Sequence, residues 1–111
     1  MKKIALFAFI SSLFLVSCDP ESSQQTYYTP LGDYDSGVLV LNQGNFNVKS
    51  SVSYISFDLN TIQNDIFSLV NTPLTLDLLG QDIGFNDNLA YIVLSGSNKI
   101  QIVNRYTMEN I

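Results

Sequence analysis

The sequence predicts an all-β protein made of antiparallel four-stranded blades of a β-propeller, incomplete within this chain, and three observations lead there. From residue 37 onward, short runs of β-branched, aromatic and aliphatic residues are separated by Asn, Asp, Gly and Ser, the composition of strands joined by turns. The chain also matches itself at about the length of one propeller blade. Two of its strands are apolar at every position, which requires cover on both faces. A small β-sandwich is the alternative architecture, and in it most strands would alternate between apolar and polar positions.

The first element is not part of this fold. Lys2 and Lys3 lead into the apolar run 4–16, and the small residue Ser17 follows, the positive start, apolar middle and small exit of a secretory signal peptide. As a helix the run spans roughly 20 Å, short of the roughly 30 Å hydrocarbon core of a bilayer, which disfavours a transmembrane anchor. Residues 1–17 are therefore expected to be removed. The next residue, Cys18, is the only cysteine in the chain. Leu15-Val16-Ser17-Cys18 resembles the lipobox of bacterial lipoproteins, in which the cysteine becomes the lipidated first residue. The other reading of Cys18, a buried thiol, conflicts with the polar Asp19, Pro20 and Glu21 that follow it. A single cysteine also excludes a disulfide framework and a zinc cluster.

Removing 17 of 111 residues leaves 94, enough for one small domain. Lys49, Lys99 and Arg105 then face ten Asp and Glu, three against ten, a side-chain balance of −7. Nucleic acid is an unfavourable partner for such a chain. Residues 18–36 include DPESSQQTYYTPLGDYDS, polar, Pro-containing and without helical or strand period, and are expected to form a flexible tether. As a coil it spans roughly 23 Å. Its Tyr27, Tyr28 and Tyr34 are expected to fold back and pack on the domain.

Residues 37–111 are expected to supply the first one to two blades. The strands fall at 38–42, 52–58, 66–70, 81–86, 89–95 and 99–104, with helix signals nearly absent. Asp87-Asn88 suits a tight hairpin, because both residues tolerate positive φ. Pro73 places a loop at the start of 71–80. Laid against itself, the chain aligns Val38-Leu39-Val40-Leu41 with Tyr91-Ile92-Val93-Leu94 at an offset of 53, with Asn45 on Asn98. The next strand aligns at 46, with Tyr54 on Ile100, Phe57 on Val103, Asp58 on Asn104, Thr61 on Thr107 and Asn64 on Asn110. The difference is an extra stretch, 46–52, in the first hairpin, which must project from one end of its sheet as a loop.

The phrases GVLVLNQGNF, SVSYISFDLNTIQNDIF and NLAYIVLSGSNKIQIVN together resemble the N-terminal blades of YncE-like β-propeller surface lipoproteins of Bacteroidetes. That resemblance implies a propeller of seven or so blades on a lipid tether, acting in surface binding, with some relatives capturing cobalamin for an outer-membrane transporter. Such propellers run to several hundred residues, and this sequence stops in the second unit.

The chemistry available is narrow. With no His, a Ser-His-Asp or Cys-His arrangement and a His-metal site are excluded. The glycines form no phosphate-binding run. Asp33-Tyr34-Asp35-Ser36-Gly37 has the first acidic positions of a calcium loop without the rest. Asp58, Asp65, Asp82 and Asp87 lie in turn-like surroundings and read as turn formers, not as paired catalytic acids. No catalytic residue, metal or cofactor is expected. The candidate ligand-binding residues are Asn42, Gln43, Asn45, Phe46, Lys49 and Asn98, with Ser95 matching Asn42: amides, an aromatic and a cation at a strand exit can hydrogen-bond and stack on a planar or sugar-like ligand. The same residues also serve tight turns. The expected function is thus a non-catalytic binding protein, lipid-anchored at the outer membrane or cell surface, whose propeller loops meet a nutrient such as a corrinoid or a partner transporter. The alternative is a structural or adhesive surface protein that recognises protein or glycan.

Overall fold

The computed structural model describes residues 27–111. The expected signal segment 1–17 and the first part of the expected tether, 18–26 with Cys18, lie outside the described residues. The described chain is all-β apart from one short α-helix and one 3-10 turn, Ser95–Ser97. Strands β1 (Gly37–Asn42), β2 (Ser51–Ser56) and β3 (Ile62–Gln63) make one antiparallel sheet in that order, and β4 (Gly80–Asn86), β5 (Leu89–Leu94) and β6 (Lys99–Asn104) make a second. Each sheet has three strands, not the four of a complete blade. In the second, a single antiparallel bridge between Val103 and Asn110 stands where a fourth strand would begin.

The two sheets share one core. Leu39 pairs with Tyr54 and Leu41 with Val52, so these four side chains share the inner face of the first sheet. Ala90, Ile92, Leu94 and Val103 line the facing side of the second, with Ile66, Phe67, Leu76 and Met108 filling the space around them. Each fully buried aliphatic or aromatic side chain here stabilises the fold by about 1.5 to 3 kcal/mol.

Cover on both faces of the all-apolar strands is not realised. Val38 is 50% and Val40 36% exposed, because no layer of the described residues lies against the outer face of β1. The outer face of the second sheet exposes Ile100, whereas Val103 points inward, opposite Ala90, and is fully buried.

The internal match holds with a correction of one residue. Tyr54 stands opposite Leu39 and Ile100 opposite Val93, so a chain that aligns Tyr54 with Ile100 must align Leu39 with Val93, an offset of 54 where the sequence alone suggests 53. The turns after β2 and β6 support the 46-residue offset that this rests on. The Asp58 carboxylate accepts the Asn60 N–H at 3.1 Å, and the Asn104 amide oxygen accepts the Tyr106 N–H at 2.9 Å. With 54, the inward Leu39 falls on the outward Val93. The sheets therefore stand one behind the other, each presenting the same face in the same direction.

Residues 66–70, expected as a strand, form the helix α1 (Ile66–Val70). Five apolar residues carry too little period to separate a buried strand from a helical turn. The local chemistry decides: Asp65 accepts the Ser68 hydroxyl at 2.8 Å and its carbonyl accepts the Leu69 N–H at 3.1 Å. At the other end the Asn71 side-chain amide donates to the backbone carbonyls of Phe67 at 2.8 Å and Met108 at 2.9 Å, and its Oδ1 accepts the Asn110 N–H at 2.8 Å, pinning the helix to the last described turn. The short β3 was not expected. It is exposed, and Ser53 donating to Asn64 at 2.9 Å helps hold it beside β2.

Part of the expected tether belongs to the packed domain. Tyr34 is buried, its ring 5.2 Å from that of Tyr54 in an edge-on contact, and its N–H donates to the Tyr106 carbonyl at 2.9 Å. Tyr28 reaches only the Asp35 carboxylate, and Tyr27 stays exposed.

Candidate functional site

The segment 75–80, between α1 and β4, draws the two hairpin ends together. The Gly80 N–H donates to the Gln43 carbonyl at 3.0 Å and to the Ser50 hydroxyl at 2.7 Å, while the Ser50 N–H donates to the Asp77 carbonyl at 3.0 Å. From the other hairpin, Ser95 donates its N–H and its hydroxyl to the Leu79 carbonyl, each at 3.0 Å. Gly96 follows on the Leu78 carbonyl at 3.2 Å, and a Cβ there would stand 2.8 Å from that same oxygen, so the approach requires glycine. Both lysines of the described chain reach this segment: Lys49 bonds the Thr75 hydroxyl at 2.6 Å and Lys99 bonds Asp77 at 2.9 Å. The Lys99 ammonium holds the Asp77 carboxyl below its usual range.

Each candidate residue has a definite place. Asn42 lies on the outer face of the first sheet, donating to Ser51 at 3.1 Å and Ser53 at 2.9 Å, and is a sheet fastener. The Asn45 side chain accepts the N–H groups of Asn47 at 2.7 Å and Val48 at 2.9 Å, so it shapes the loop from within. Asn98 takes a left-handed conformation, φ 50°, that closes the 3-10 turn Ser95–Ser97. Gln43 lines a cleft of about 310 Å³ with Leu41, Gly80, Asp82 and Ile83. Phe46 is 79% exposed on the projecting loop. Of the six, Gln43 lines the cleft, Phe46 stands exposed on the loop and Lys49 is bonded to Thr75, while Asn42, Asn45 and Asn98 hold backbone or sheet.

A second cleft, of about 240 Å³, went unseen in the sequence. It lies at the other end of β1 and β4, lined by Tyr34, Leu39, Phe85, Arg105 and Tyr106. The Arg105 guanidinium stands 4.8 Å from the Phe85 ring centre and 5.0 Å from that of Tyr106. Such stacking is worth about 0.5 to 1 kcal/mol at an exposed site and holds the cation flat against apolar surface. The one signal in the sequence was Arg105 itself, a lone arginine beside a tyrosine. Beside this cleft the Asp35 carboxyl is held low by the Leu31 N–H and then by the Tyr28 hydroxyl, which fixes it in a turn.

Compared with known proteins, the chain matches no family model and no curated protein.

Proposed function

We propose that the chain is a lipid-anchored, non-catalytic binding protein of the outer membrane or cell surface, its two sheets forming the first stacked units of a β-propeller. The observation that carries the binding role is the hairpin end. In a chain of net charge −5, Lys49 and Lys99 are gathered on one segment, beside a loop that holds an exposed Phe46. An aromatic ring and a cation at one end of stacked sheets suit a polar, planar ligand bearing an anionic group, or a partner surface of that chemistry. A corrinoid nutrient is the ligand suggested by the resemblance to YncE-like lipoproteins, and an outer-membrane transporter the partner.

Support for the propeller comes from the one-behind-the-other stacking. A sandwich of two sheets related by a two-fold axis would turn like faces toward each other. Here Leu39 looks inward and its counterpart Val93 outward, so the face that the first sheet buries is the face that the second leaves free for a further neighbour.

Equilibrium dialysis of the anchored chain against cyanocobalamin tests the binding role. Saturable uptake is expected, weakened by roughly 1 to 3 kcal/mol in Phe46→Ala and weakened also in Lys49→Ala. Uptake that both variants leave unchanged would move the site away from this end, and no uptake by the parent would remove corrinoids as the ligand.

A further inference from the structure

We propose that the cleft where the start of β1 meets the end of β4, around Arg105 and Asp35, is a binding site for a free α-amino acid with an apolar side chain. It lies at the opposite end of these strands from the hairpin loop and stands whether or not that loop binds a ligand.

The cation of the cleft has unused donors. Lys99 is paired with Asp77 and Lys49 bonds Thr75, whereas the Arg105 side chain has no hydrogen-bond or ion-pair partner among the described residues. The Phe85 and Tyr106 rings hold it in place, and its backbone N–H donates to the Asn88 carbonyl at 2.9 Å. Ring contacts of this kind consume no N–H donor, so the guanidinium keeps the fork of donors that matches both oxygens of one carboxylate. Tyr106 is itself fixed, its N–H on the Asn104 side chain at 2.9 Å and its carbonyl on the Tyr34 N–H at 2.9 Å. The cation is thus placed before any ligand arrives, which lowers the cost of binding.

One anion, Asp35, lines the same cleft. Its Oδ2 accepts both of its bonds, from the Leu31 N–H at 2.8 Å and from the Tyr28 hydroxyl, and Oδ1 has no partner among the described residues. Arg105 and Asp35 form no ion pair with each other, yet the Arg105 charge adds to the lowering of the Asp35 carboxyl, after the Leu31 N–H and the Tyr28 hydroxyl. Both charges therefore act within one small space. A simple anion would be opposed there by Asp35 and a simple cation by Arg105, whereas a molecule that carries a carboxylate and an ammonium on one carbon is opposed by neither. Val38, Leu39 and Phe85 supply an apolar wall for its side chain. The volume, about 240 Å³, falls below the roughly 300 to 1,000 Å³ of drug-sized sites and suits a ligand this small.

Amide NMR spectra of the full 111-residue chain in detergent micelles, titrated with L-phenylalanine into the millimolar range, test it. The amide signals of Asp35, Phe85, Arg105 and Tyr106 should move and saturate, while those of the hairpin loop 45–49 stay still. N-acetyl-L-phenylalanine, which lacks the ammonium, and L-phenylalaninamide, which lacks the carboxylate, should each bind at least about tenfold more weakly. Arg105→Gln and Asp35→Asn should each weaken L-phenylalanine by a similar factor. If either variant loses the native spectrum, the two blocked ligands on the parent decide. The proposal is overturned if L-phenylalanine produces no saturating shift at these four amides, or if Arg105→Gln keeps the native spectrum and binds as the parent does. Acetylated ligand that binds as tightly as the free amino acid would also overturn it, because Asp35 would then have no part in recognition.

Discussion

Asp58 and Asn104 stand at matching places behind the two sheets and hold the same turn, each side-chain oxygen accepting the N–H two residues on. The pair fixes the alignment of β2 with β6, and so the direction in which each sheet faces. Asn104 also accepts the Thr107 N–H at 3.3 Å in a partly buried setting. Asn104→Ala should cost about 1 kcal/mol, visible as a lowered midpoint in thermal unfolding followed by circular dichroism. Asp58→Ala should shift the midpoint in the same direction. An unchanged midpoint in both would make the shared turn incidental to the stacking.

Strands β1, β4, β5 and β6 were legible to within a residue, because their apolar runs are bounded by turn formers such as Asp87, whose φ of 50° matches the hairpin expected there. What the sequence hid depended on partners distant along the chain. Helix α1 is decided by an Asp65–Ser68 bond and by Asn71 reaching Met108, neither of which an apolar run of five residues announces. The one-residue slip in the repeat could be seen only once Leu39 was found opposite Tyr54. In the candidate site, the sequence leaves Asn45 and Asn98 open as ligand groups because amides serve turns and ligands alike. The backbone bonds of Asn45 and the positive φ of Asn98 assign both to turns. The Arg105 cleft brings together residues from Tyr34 to Tyr106, a distance no local pattern spans.

The packed domain should begin before β1. Tyr34→Ala removes the ring that meets Tyr54 and should destabilise by about 2 to 3 kcal/mol, whereas Tyr27→Ala, at a side chain 91% exposed, should change nothing measurable. Denaturant unfolding of the two variants checks this. Equal midpoints would return residues 32–36 to the tether.

Acid should weaken the fold through named carboxylates. Lys99 holds Asp77 low, the Leu31 N–H and then Tyr28 hold Asp35 low, and the Ser56 hydroxyl and then Asn60 hold Asp58 low. A carboxyl whose folded pKa is depressed contributes stability that is complete above its unfolded pKa of about 4 and is lost as pH falls through the folded value. The melting temperature should therefore be level from neutral pH to about 5 and fall below about 4. Asp77→Asn should make that fall shallower. Because Asp77 and Lys99 are partly exposed, added salt should raise the Asp77 pKa toward its ordinary value, measurable from the carboxyl carbon by NMR.

The proposed lipid anchor turns on Cys18, and metabolic labelling with radioactive palmitate addresses it most directly. The parent should carry label and stay in the membrane fraction, since each buried methylene contributes about 0.8 kcal/mol and two or three acyl chains make residence effectively permanent. Cys18→Ala should carry no label and should either leave the membrane or remain uncleaved. A Cys18→Ala protein that is cut between Ser17 and residue 18 and stays as firmly in the membrane as the parent would contradict the anchor.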